Sequence, residues 1–187
     1  MAASLATFIK HLWLDADDTA RLIKPAVMGR LTEQVAASER LHSGEIRICV
    51  EASLPLSYLW RVSKSRSLAD VTRERAVMMF SKLGVWDTAF NNGVLVYVLL
   101  AEHAIEIVAD RGMAAHVDAA QWSALVAELS SDFRRGQAEE GLRRAIDQIT
   151  GKLTEHFGVT GSDWREDKFS ASPGANPNEL PDSPVLR

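Results

Sequence analysis

Val94 to Leu100, the run Val-Leu-Val-Tyr-Val-Leu-Leu, constrains the fold of this chain more than any other segment. Seven apolar residues fall far short of the ~20 that a membrane-spanning helix requires. β-Branched and aromatic side chains at both parities read as a strand covered on both faces. Ile105-Glu-Ile-Val108 follows after a short turn and makes a hairpin with it. Upstream, residues 45–51 alternate strictly. Ile46, Ile48 and Val50 point one way and Glu45, Arg47, Cys49 and Glu51 the other, the pattern of a half-buried strand with a charged face.

Helical periodicity fills the intervals. A helix is expected from Pro25, whose missing N–H would be unpaired in a first turn anyway. Val27, Met28, Leu31, Val35 and Leu41 recur at its spacing, and Ser43-Gly44 closes it. Ser67-Leu-Ala-Asp70 is a capping box with Asp in place of the usual Glu or Gln. The helix it opens carries Leu68, Val71, Val77, Phe80 and Leu83 and stops at Gly84. Two later stripes, Trp122 to Phe133 and Leu142 to Phe157, are separated by Gly136. The order helix–strand–helix–strand–strand–helix–helix implies a small α/β sandwich. Its first two strands run parallel through a right-handed crossover, and the third runs antiparallel to the second.

The 187 residues suit one domain. A net charge of −4 argues against nucleic acid as the main partner, since phosphate binding needs a basic surface. The single cysteine, Cys49, leaves no internal disulfide and fits a reducing compartment. Lys10 and His11 interrupt the apolar N-terminal segment, so no secretory signal is expected. The expected location is cytoplasmic, with at most peripheral membrane contact. Phe8, Ile9, Leu12, Trp13 and Leu14 are expected to cover the core; the alternative is insertion at a membrane interface. Residues 1–19 then form an N-terminal extension and 20–157 the α/β domain. Residues 158–187 form a disordered tail: Pro173, Pro177, Pro181 and Pro184 lie there without apolar periodicity, and truncation after Phe157 should leave stability nearly unchanged.

One polar cluster follows from this topology. If Leu100 pairs with Ala104, Val94 lies opposite Asp110, and Asn91, Asn92, Gly93, Asp110 and Arg111 meet at one sheet end. The loop from Gly84 brings Asp87 there, and the parallel first strand brings Glu45. Glu45, Asp87, Asn92 and Asp110 are oxygen donors, as a hard cation such as Ca²⁺ or Mg²⁺ prefers; so few carboxylates would bind it weakly. Arg111 would favour an anion. The alternative is structural: Asn92-Gly93 as a turn, Asp110 as a cap, and Arg111 paired with a neighbouring acid. No catalytic residue is assigned. The five histidines lack His-Glu-x-x-His spacing, and there is no Gly-x-Ser-x-Gly elbow. Cys49, with Pro55 where a phosphatase loop needs arginine, reads as a small buried hydrophobe.

Ser43-Gly-Glu-Ile-Arg47, Glu74-Arg-Ala-Val-Met-Met-Phe80, Gly84-Val-Trp-Asp-Thr88, Asn92-Gly-Val-Leu95 and Glu106-Ile-Val-Ala-Asp-Arg-Gly112, in that order, resemble the TPM domain. Gly136 and Glu140-Gly141 resemble its late helical region. The likeness covers roughly residues 20–157 and is to the short bacterial branch often encoded beside LemA-type membrane proteins. It implies a three-layer α/β/α sandwich with a small mixed sheet. A plant thylakoid member is described as an acid phosphatase, and some relatives bind divalent metal near these loops. Asn91 stands where many members carry an acid, and Ala109-Asp-Arg-Gly112 replaces a glycine-rich turn. The expected function is an accessory interaction domain that binds a divalent metal and engages membrane-associated, LemA-type partners through the site end. The alternative is a weak metal-assisted acid phosphatase, in which Asp87 and Asp110 hold the metal and Arg111 neutralises developing charge.

Overall fold

The computed structural model describes residues 4–158 and 178–187. Three helices, α1 (Leu5–Trp13), α2 (Ala16–Leu22) and α3 (Pro25–Glu39), precede strand β1 (Ile46–Glu51). A short α4 (Leu56–Leu59) and a long α5 (Leu68–Lys82) lead to β2 (Val94–Leu99). A 3₁₀ turn at Leu100–Glu102 connects β2 to β3 (Ala104–Ala109). Then come α6 (Arg111–Ala114), α7 (Ala119–Arg134), α8 (Ala138–Phe157) and a final strand, β4 (Val185–Leu186). The sheet order is β3-β2-β1-β4, with β1 parallel to both β2 and β4, and β3 antiparallel to β2.

The sheet is covered on both faces, as the apolar run requires. Ile46, Ile48, Val94, Val96 and Val98 pack under α3, α7 and α8 through Leu31, Val35, Leu129, Leu142 and Ile149. Cys49, Leu95, Tyr97 and Leu99 pack under α4 and α5 through Leu59, Val71, Met79 and Phe80. This is a three-layer α/β/α sandwich. The Ser67–Asp70 capping box forms as expected, and Pro25 opens α3. Among the described residues no helix is long and apolar enough to cross a membrane.

Five expectations change. The hairpin pairs Leu99 with Ala104, so Val94 faces Ala109 rather than Asp110. The cause is the 3₁₀ turn plus His103 in the left-handed region (φ 48°), which consume the residue the shorter turn would have left in the strand. Strand β1 is buried on both faces, because α5 and the C-terminal residues cover its charged side. Val77, placed in the α5 apolar stripe, is exposed. The N-terminal extension is helical and partly anchored: buried His11 accepts at Nδ1 from the Leu54 amide (2.9 Å), and its Nε2 lies 2.9 Å from Glu102. Phe8 and His11 turn inward and Leu14 is half-buried, but Ile9, Leu12 and Trp13 stay exposed instead of covering the core, as does Leu5.

The fifth change concerns the end of the chain. Residues 159–177 lie outside the described residues, but the last ten do not form a structureless tail. Val185 and Leu186 pair with Cys49 and Val50. The Arg187 amide donates to Val50 O, and Arg187 O accepts from the Ala52 amide, at 3.0 and 2.7 Å. Leu180 packs on the α5 side of the core. Composition pointed to disorder, yet a bare strand edge rewards even two apolar residues that satisfy it. Ending the chain at Pro177 is therefore expected to cost about 2 kcal/mol, since about two backbone hydrogen bonds and the partial burial of Leu180, Val185 and Leu186 are lost against regained chain entropy. Urea unfolding of the shortened chain measures this.

Candidate functional site

The five residues expected to meet at the N-terminal end of β2 are held by different partners. Glu45, just before β1, is completely buried; its Oε1 accepts from the Glu179 amide at 3.0 Å, and burial pushes its carboxyl up to about 7. Asp110 is the N-cap of α6, its Oδ1 accepting from the Arg111 amide at 2.7 Å. The Arg111 guanidinium donates to Asn91 Oδ1 at 2.8 Å, so its partner is an amide and not an acid. Asn92 is buried and donates from Nδ2 to Ser43 Oγ at 3.1 Å. Asp87 is exposed in the turn after Gly84.

These residues share a sheet end without forming one cluster. The Asp110 amide donates to Gly93 O and the Val94 amide to Glu45 O, which sets Gly93 between the two acids. A Cβ on Gly93 would lie 2.0 Å from Val85 O, so the loop backbone fills the space between them. Two strand spacings, about 10 Å, separate the acids' backbones, whereas oxygens sharing one Ca²⁺ each lie about 2.3–2.6 Å from it. Among the described residues no three His, Cys, Asp or Glu side chains are arranged to hold a metal. Three of the expected donors nevertheless carry a buried oxygen with no partner: Glu45 Oε2, Asn92 Oδ1 and Asp110 Oδ2.

Two polar constellations stand out that were not anticipated. The first surrounds the start of β1. Glu39, at the end of α3, is 3% exposed and accepts from the Ile46 amide at 3.0 Å; burial pushes its carboxyl up to about 9, helped by Glu45 and Asp182. Arg47 lies among the same acids, and its Nη1 donates to Ser183 O at 3.3 Å. The second lies at the other end of β1, where Arg75 of α5 makes a two-pronged pair with Glu51. Tyr97 Oη donates to the same carboxylate at 2.7 Å, and the Arg75 guanidinium lies 5.1 Å from the Tyr58 ring centre. The strict alternation of residues 45–51 carried a signal for both, had its charged side been assigned to a covered face. Cys49 between them is buried as expected, with its thiol pushed up to about 12 by burial.

A groove of about 550 Å³ opens at the opposite end of the sheet, beside Lys10, Leu14, Arg21, Leu100, His103 and Phe133. Its cations are largely spent: Lys10 pairs with Glu102 and Arg21 with Asp18.

A family model described as the TPM domain matches residues 16–152. Two solved structures share the fold. The BA42 protein from the psychrophilic bacterium Bizionia argentinensis is 22% identical with a TM-score of 0.64, over 86% of this chain and 92% of its own. The N-terminal domain of a protein from P. gingivalis is 18% identical with a TM-score of 0.56, over 74% of this chain and 82% of its own. No curated protein matches the chain in sequence.

Proposed function

The chain belongs to the TPM-domain family, and on that premise we propose that it is an accessory interaction domain, working beside membrane-associated partners, rather than a phosphatase. The observation that carries this reading is how the candidate acids are used. Glu45 is sealed under Glu179, Asp110 caps α6, and Arg111 is held on Asn91, while Asp87 stands apart in an exposed turn. Metal-assisted phosphoryl transfer needs carboxylates that converge on one ion in a concave site, with a cation free to meet the phosphate. The protein is therefore expected to hydrolyse p-nitrophenyl phosphate no faster than buffer in millimolar Mg²⁺ or Ca²⁺. Metal-dependent turnover that Asp110→Asn abolishes would overturn this reading.

Weak binding of a divalent cation is a second reading, favoured by the unpartnered oxygens of Glu45, Asn92 and Asp110. Because these oxygens do not converge on one point, any one cation would meet few of them, and its affinity falls at or below the weak range of ~10⁻⁴–10⁻³ M. Residue Asp110 separates this from a purely structural role. As a ligand, Asp110→Asn removes the localised amide shifts that millimolar Ca²⁺ causes and leaves stability nearly intact. As a cap alone, Asp110 gives no metal shifts to lose, and stability again stays nearly intact because Asn caps a helix as well as Asp. A titration that moves no amide near these residues in the unaltered protein ends the metal reading.

A further inference from the structure

The strongest unexplained feature lies far from the acids. Helix α1 turns Phe8 and His11 inward and leaves Leu5, Ile9, Leu12 and Trp13 on one outer stripe, at i, i+4, i+7 and i+8. Trp13 is 82% exposed, and Trp60 at the end of α4 is 78% exposed. The Phe8 and Trp60 rings meet edge to face, 6.2 Å between centres, which joins the stripe to Trp60. Solitary exposed hydrophobes are ordinary, but a contiguous group with two tryptophans marks a surface that is covered in use.

The charge around this face tells what covers it. Around α1 charge is balanced, with Lys10 paired to Glu102 and Asp15, Asp17 and Asp18 following Trp13, whereas the Trp60–Arg66 loop carries Arg61, Lys64 and Arg66 and no acid. Arg61 and Arg66 share one acid, Glu74, at 3.4 and 3.3 Å, so the loop stays positive. A two-fold contact centred on Trp60 is a poor cover, because it would set the basic Trp60–Arg66 loop against its own copy. Tryptophan suits a boundary with one apolar and one wet side, and basic residues beside it favour anionic headgroups.

We infer that α1 and Trp60 dock on an anionic phospholipid surface, with Trp13 and Trp60 at the headgroup boundary and Arg61, Lys64 and Arg66 against the lipid phosphates. This rests on the accessory reading only in placing the chain's work on its outer surface. A nine-residue amphipathic helix lies in the interface plane and gives reversible attachment that weakens with salt.

Flotation of the full chain with phosphatidylcholine vesicles containing about one-third phosphatidylglycerol tests it. The protein is expected to float with these vesicles and to remain behind with phosphatidylcholine alone. The double variant Trp13→Ala/Trp60→Ala is expected to bind about tenfold more weakly while still unfolding in one cooperative melt, lowered only by loss of the Phe8–Trp60 ring contact. Lys64→Glu is expected to weaken binding by about the same factor. No flotation with the anionic vesicles overturns the inference. So does flotation indifferent to lipid charge and to Lys64→Glu, or a dimer in light scattering that the double variant converts to monomer. Hydrolysis of p-nitrophenyl phosphate would sink the accessory reading without touching this result, and failed flotation without hydrolysis sinks only this inference.

Discussion

Arg75→Leu is expected to destabilise the protein by about 3–5 kcal/mol, because it strands the carboxylate of Glu51 inside the α5 layer. Glu51 and Arg75 are 5% and 7% exposed, and both carboxylate oxygens receive guanidinium donors. Tyr97 Oη would be the one remaining donor seen on Glu51. Its charge would have to be neutralised or hydrated by opening the layer, either of which costs more than the pair itself contributes. The second half of the test is the double variant Arg75→Leu/Glu51→Leu, which should recover much of the loss. Replacing both members of a buried pair is often near neutral, although Tyr97 Oη then loses its acceptor at about 1–3 kcal/mol. Urea midpoints of the two variants decide it. If Arg75→Leu falls within about 1 kcal/mol of the parent, the pair is not buried in solution.

What the sequence could and could not disclose follows from which interactions are local. The apolar run at Val94–Leu99, the Ser67–Asp70 cap and Pro25 act within a few residues, and each element they specify appears. The parallel crossover also follows from chain geometry alone. The hairpin register depended on a turn whose left-handed His103 no composition rule singled out, and that one-residue shift set Asp110 opposite Gly93. The two acid constellations depend on partners far away in sequence: Arg75 on α5 for Glu51, and Glu179 for Glu45. Alternation in β1 correctly separated the two faces, but charge was taken as a mark of water. Here it marks the side where α5 and the C-terminal residues arrive with matching donors.

Stability is expected to fall on the order of 5 kcal/mol between pH 5 and pH 9, the reverse of the rise that ordinary paired carboxylates give on leaving acid. Glu39 and Glu45 set the direction. Burial raises their carboxyls to about 9 and about 7, from ordinary values of 4.5. The folded protein therefore keeps two protons that the unfolded chain releases above pH 4.5. Their stabilisation is complete below that pH, shrinks as pH rises, and is gone above about 7 for Glu45 and about 9 for Glu39. His42 opposes them over part of the range. Burial lowers it to about 4, so its contribution is complete above 6.5 and lost as pH falls toward 4. One histidine offsets one carboxyl below 6.5, and above that pH nothing in this group compensates. Glu39 also faces Asp182, so ionising it sets two carboxylates together beneath the C-terminal residues, with Arg47 the nearby cation. Glu39→Gln stays uncharged at every pH and should abolish most of the decline between pH 7 and 9, while Glu45→Gln should act mainly between 5 and 7. Thermal melts of the three proteins across that range measure both slopes. A parent whose stability is flat or rising from pH 5 to 9 would show that Glu39 and Glu45 are ionised in the fold, and that the C-terminal residues do not seal them.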